Sequence, residues 1–100
     1  PNKPLPTKYA LKQNHPNPFN TETIIEFEVP DGTRHAVWLR IYDASGKLIK
    51  TLVDKPGEPG YHSVIWDGRD DAVKAVPSGV YFTRLKADKN ETVCKMVLLR

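Results

Sequence analysis

In the run from Thr23 to Val29, Ile25, Phe27 and Val29 fall on one side of the chain and Glu26 and Glu28 on the other. A spacing of two is the pleat of a β-strand, whose successive side chains leave opposite faces, so the run reads as a half-buried strand. Pro30-Asp31-Gly32 ends it. Ala36 to Tyr42 repeats the pattern, with Val37, Leu39 and Ile41 opposed to Trp38, Arg40 and Tyr42. Asp43-Ala44-Ser45-Gly46 supplies a turn, since Gly46 tolerates positive φ and Asp43 accepts from backbone amides. Leu48 to Val53 reads as the return strand, although Leu48, Ile49, Leu52 and Val53 do not alternate, which predicts a bulge or two-sided burial.

Pro56-Gly57-Glu58-Pro59-Gly60 then turns the chain into Tyr61 to Trp66, where His62, Val64 and Trp66 share a face. After a loop over Asp67 to Val73, Gly79-Val80-Tyr81 opens a strand with Tyr81, Thr83 and Leu85 on one side. Asp88 to Glu91 is the last hairpin turn and Thr92 to Leu99 the last strand. No segment carries a helical period over three turns. Short strands with turn signals between them predict an all-β antiparallel sandwich of about seven strands, immunoglobulin-like or fibronectin type III-like. Tyr81 sits where an immunoglobulin strand places the tyrosine that ties its hydroxyl to the preceding corner. Thr83 stands where antibody domains have their second cysteine, and Trp66 is on the wrong strand to be their core tryptophan.

One hundred residues hold one domain with one core. The proline-rich stretch Pro1 to Thr7 favours extended geometry, so residues 1–8 are expected to be a linker from an upstream domain and residues 9–100 the sandwich. The chain begins at a proline and shows no charged segment followed by an apolar one, which reads as a piece of a longer precursor. No apolar run is long enough to span a bilayer as a helix. Fifteen basic against 12 acidic residues give a formal +3, scattered without a basic aromatic stripe, which argues against nucleic acid. Cys94 is the only cysteine and lies in the apolar run Val93 to Leu98, so it is read as a small buried hydrophobe.

Candidate chemistry is sparse. Asp67, Asp70 and Asp71 gather three carboxylates in one loop, a set that suits calcium, although turn chemistry explains Asp67-Gly68 as well. His15, His35 and His62 are scattered without a ligand pair, so no zinc site or other cofactor is expected. Ser45, Ser63 and Ser78 lack the local motif of an activated hydroxyl, and no enzymatic activity is expected. Trp38 and Tyr42 form either an aromatic platform for sugars or a cross-strand packing pair.

Leu11-x-Gln13-Asn14-x-Pro16-Asn17-Pro18-Phe19-Asn20 is a proline corner with Phe19 free to plug a core edge, and it is followed in order by further motifs. These are Ile41-Tyr42-Asp43-x-x-Gly46, Thr51-Leu52-Val53, Gly60-x-His62-x-Val64-x-Trp66-Asp67-Gly68, Ser78-Gly79-Val80-Tyr81-Phe82-x-Arg84-Leu85 and Lys95-Met96-Val97-Leu98-Leu99-Arg100. Together they resemble the type A C-terminal sorting domain of the type IX secretion system and its relative, the immunoglobulin-like domain of the flagellar hook-capping protein. One departure is Ala72-Val73, where that family usually has Asn-Gly. The resemblance implies a non-catalytic module that ends an exported precursor, passes the periplasm, and is recognised by the outer-membrane translocon and its C-terminal signal peptidase. It also implies an upstream cargo domain and a secreted or cell-surface location. The recognition elements it suggests are Gly60, Tyr61 and His62, with Lys95, Met96, Val97, Leu98, Leu99 and Arg100. The last strand is then expected to offer an open sheet edge to a receptor, with Lys95 and Arg100 fixing register by charge. The other classes are a structural or carbohydrate-binding accessory module of a secreted hydrolase, and a hook-capping-type domain.

Overall fold

The structure is a computed structural model that describes residues 4–32 and 35–100; the start of the expected linker, residues 1–3, lies outside the described residues. Seven strands follow in order: β1 (Ala10–Leu11), β2 (Thr23–Val29), β3 (Ala36–Asp43), β4 (Leu48–Pro56), β5 (Gly60–Trp66), β6 (Gly79–Ala87) and β7 (Asn90–Leu98). They form two antiparallel sheets, β1-β2-β5 and β4-β3-β6-β7, packed face to face as an immunoglobulin-like β-sandwich.

Alternation decides which side chains meet between the sheets. Ile25, Phe27 and Val29 of β2 oppose Val37, Leu39 and Ile41 of β3, with Tyr81, Leu85 and Ala87 of β6 and Met96 and Leu98 of β7, all buried. The broken alternation of β4 has a plain cause. Its register against β3 shifts between Leu39 and Arg40 and again between Ile41 and Tyr42, which leaves Leu52 and Ile49 without a cross-strand partner. Each extra residue turns its neighbours to the other face, so Ile49, Leu52 and Val53 all reach the core edge.

One end of the sandwich is closed by aromatics. Trp66 is fully buried, with its ring centroid 5.6 Å from Phe19 and 5.3 Å from Tyr81, and its Nε1–H donates to the Arg69 carbonyl at 2.9 Å. The Tyr81 hydroxyl donates to the Pro77 carbonyl at 2.7 Å, the tyrosine corner expected from the sequence. Burial pushes its pKa up, and the Asp43 carboxylate adds to the shift. Phe19 arrives on the proline corner, whose His15-Pro16 and Asn17-Pro18 bonds are both cis. Behind it Asn14 is buried, its Nδ2 donating to the Pro16 carbonyl and to Thr23 Oγ1, while Thr23 Oγ1 in turn donates to Pro16. Residues 4–8 lie against the sandwich: Pro6 is buried and its carbonyl accepts from Asp31 N–H, and the Pro4 carbonyl accepts from the Tyr61 hydroxyl.

Two turns share one plan. At Asp43, Oδ1 accepts from the amides of Ser45 and Lys47, the carbonyl accepts from Gly46 N–H, and the amide donates to the Lys47 carbonyl. At Asp70 the same four bonds go to Ala72, Lys74, Val73 and Lys74. The residue at the fourth position takes a left-handed conformation in both, Gly46 at φ 89° and Val73 at φ 64°. Glycine adopts this freely, whereas a β-branched residue does so at a cost. Val73→Gly is therefore expected to stabilise the domain by about 1 kcal/mol, the relief of roughly 1–2 kcal/mol of left-handed strain less the entropy of an added glycine. A rise of about 4–8 °C in thermal midpoint is the readout, and an unchanged or lowered midpoint contradicts it.

The first turn also titrates. Hydrogen bonds from the Ser45 hydroxyl and the Lys47 and Ser45 amides hold the Asp43 carboxyl below its ordinary value of 3.8. A depressed folded pKa contributes stability that is present above that ordinary value and is lost as pH falls through the folded pKa. Urea midpoints of the native chain and of Asp43→Asn, compared from neutral pH downward, are expected to differ at neutral pH and converge in acid. A gap independent of pH rules out this linkage.

Candidate functional site

The structure separates the two segments expected to be recognised. Gly60 pairs with Val29 at one end of β5, and His62 stacks on Phe27 with ring centroids 4.9 Å apart, its Nε2 hydrogen-bonded to the Glu58 carbonyl at 2.7 Å. The hollow beside His62, reaching Val37, Val53 and Pro56, has room for only about 10 Å³. Leu98, by contrast, pairs with Phe19, which packs on Trp66 at the far end of the same strand β5. Six residue steps at about 3.3 Å each place Gly60 and the Leu98 end of the terminal segment roughly 20 Å apart along the sandwich.

The edge expected to be open on the last strand is closed over residues 95–99. Phe19 N–H donates to the Val97 carbonyl and its own carbonyl accepts from Leu99 N–H; Asn17 Oδ1 accepts from Val97 N–H and Gln13 Nε2 donates to the Lys95 carbonyl. Asn17, set between two prolines, is the kind of residue that ordinarily bonds the backbone of its own turn. Its real partner is 80 positions away, a contact no local pattern encodes. Arg100 is committed within the chain as well. Its Nε donates to the Val76 carbonyl and its Nη2 to Gly68, both at 2.6 Å, while its amide donates to Ser78 Oγ. A Cβ on Gly68, at φ 71°, would stand 2.7 Å from that Nη2, so a side chain there would push the guanidinium off its carbonyls. Met96 and Leu98 are core residues and Val97 is half-buried; Lys95, Leu99 and Arg100 are exposed, and of these Arg100 has its guanidinium bonded back to the chain.

The remaining candidates resolve into local structure. The Asp67 and Asp70 carboxylates accept backbone amides of their own loop, and Asp71 Oδ1 accepts weakly from Thr51 N–H and lies 3.7 Å from Lys50 Nζ. His15 bonds Glu26 and His35 lies 3.7 Å from Asp88. Trp38 and Tyr42 do share the outer face of the larger sheet, but guanidinium groups lie over their rings, Arg40 at 4.2 Å and Arg84 at 4.6 Å. Beside them is an open hollow of about 300 Å³ lined by Tyr42, Phe82, Arg84 and Val93 among others. Cys94 is half-buried with its thiol facing the Leu11 carbonyl at 3.6 Å, and burial pushes its pKa up, away from a reactive thiolate.

The family model described as the FlgD Ig-like domain matches residues 14–91, from the proline corner to the start of β7. The chain belongs to the FlgD Ig-like domain family. No curated protein matches this FlgD Ig-like domain. Among solved structures, dimeric latent PorU from Porphyromonas gingivalis is 24% identical over 86% of this chain and 9% of its own, with a TM-score of 0.66. PorZ of the same organism, described as an essential surface component of its type-IX secretion system, is 19% identical over 92% of this chain and 11% of its own, with a TM-score of 0.60. The domain thus spans about a tenth of the length of each, and what it shares with them is the fold.

Proposed function

We propose that this domain is a non-catalytic sorting module, carried by an exported precursor and recognised by the type IX outer-membrane translocon, so that its cargo reaches the cell surface or the medium. The observation that carries this reading is the mounting of the last strand. Both of its edges are hydrogen-bonded over residues 95–99, and Arg100 locks its end to the loop beside Trp66. The strand thereby holds the Lys95 and Leu99 side chains outward on a rigid base, which suits an address read by side chains rather than by strand addition. The ordered motifs that resemble type IX sorting domains, and the shared fold with PorU and PorZ, support the same role.

A reporter fused to the intact chain in a type IX-competent bacterium tests it. The fusion is expected at the surface, and Lys95→Glu with Leu99→Ser is expected to cut delivery by about tenfold, as loss of roughly 1.4 kcal/mol of recognition would. Both side chains are exposed, so the thermal midpoint stays put. An intact fusion that remains inside the cell rejects the sorting role; full delivery of the double variant rejects these side chains as its address. The family match over residues 14–91 favours one second reading, a structural Ig-like module of hook-capping type, for which neither variant nor domain affects export.

A further inference from the structure

Backbone parity shows which groups each edge strand turns to solvent. On β2, the carbonyls of Ile24 and Glu26 and the amide of Ile24 bond toward β1 and His15. The odd-numbered residues of β2 therefore bond β5 through Trp66, Val64 and His62, and the N–H and C=O groups of Ser63 and Ile65 face away from the sheet. Among the described residues no hydrogen bond to those backbone groups is formed.

The other edges are managed. β1 is two residues long, and β7 is covered over 95–99 by the proline corner. β4 bonds Asp71 through the Ile49 carbonyl and Thr51 amide and carries Lys50, Asp54 and Lys55. From Ser63 to Trp66, β5 has none of these protections among the described residues: the strand holds no Asp, Glu, Lys, Arg or Pro, and its Ile65 side chain is 56% exposed.

We propose that β5 pairs antiparallel with β5 of a second copy of this chain, joining two three-stranded sheets into one. The occupant follows from self-complementarity. Set antiparallel, Ser63 faces Ile65 of the partner copy and Ile65 faces its Ser63, so that each pair exchanges two N–H···O=C bonds about a two-fold axis. The exposed Ile65 is covered in the process. A strand without Asp, Glu, Lys or Arg brings no carboxylate or Lys/Arg pairs together across the axis, which a charged edge such as β4 would do. This inference rests on β5 alone and is independent of the sorting role proposed for β7.

Sedimentation velocity of the full chain from about 10 μM to about 1 mM, with amide exchange at both ends of that range, decides the matter. The expected result is a weight-average sedimentation coefficient that rises with concentration, with the Ser63 and Ile65 amides slowing their exchange at the upper end. Ile65→Lys, at an exposed position, is expected to weaken association by at least about tenfold while the fold persists. Ser63→Pro removes an outward donor and is expected to do the same; should it unfold the chain, Ile65→Lys alone decides. A chain that stays monomeric throughout overturns the proposal, and leaves a strand from a different protein as the occupant of the edge. Association that Ile65→Lys leaves intact, or protection that appears on β7 instead, overturns it equally.

Discussion

Deleting residues 95–100 is expected to unfold the domain, not merely to erase an address. The cut removes Met96 and Leu98, both fully buried, and substitutions of such residues by alanine each cost about 2–5 kcal/mol. It also strips the proline corner of its partners on β7 and frees the Gly68 and Val76 carbonyls from Arg100. The sum approaches the roughly 5–15 kcal/mol that holds a whole domain together. Circular dichroism and urea titration of the shortened chain are expected to show no cooperative transition. A sigmoidal transition near that of the native chain refutes this. The consequence for export is practical: failed delivery of a truncated fusion reports loss of fold, and only exposed variants such as Lys95→Glu separate recognition from folding.

Trp66→Ala is expected to be the most damaging single substitution, at about 3–5 kcal/mol. Its ring fills the end of the sandwich between Phe19 and Tyr81, so the alanine leaves a cavity lined by two other aromatics that belong to a corner and to β6. Trp66→Phe keeps most of the apolar contact but leaves the Arg69 carbonyl without its donor, for which about 1–3 kcal/mol is expected. Urea midpoints order the three chains as native, phenylalanine, alanine. If alanine costs less than phenylalanine, or under about 1 kcal/mol, the end cluster does not hold the sheets together.

How much of this was legible in the sequence varies by element. β2 and β3 were readable to within a residue because each alternates against a solvent face, and a period of two admits one pairing phase. The Tyr81 corner was legible from Gly79-x-Tyr81 alone. β4 was readable as irregular but not as two bulges, since a bulge is defined by the partner strand it mismatches. β1 escaped notice because two residues carry no period. The sequence positions of the two segments expected to be recognised were plain, while the roughly 20 Å between Gly60 and the Leu98 end follows from Phe19 bridging Leu98 and Trp66.

The amino-acid order by itself determined the all-strand character, the inward residues of most strands and the places where the chain turns, because pleat parity and the stereochemistry of proline, glycine and aspartate act between near neighbours. The fold alone decided which edges are covered. Asn17 reaching Val97, Arg100 reaching Gly68 and Val76, and, among the described residues, nothing reaching the outward backbone groups of Ser63 and Ile65 are facts of strand order in space. Backbone hydrogen bonds are identical in chemistry at every residue, so no side-chain pattern records which of them find a partner across the molecule.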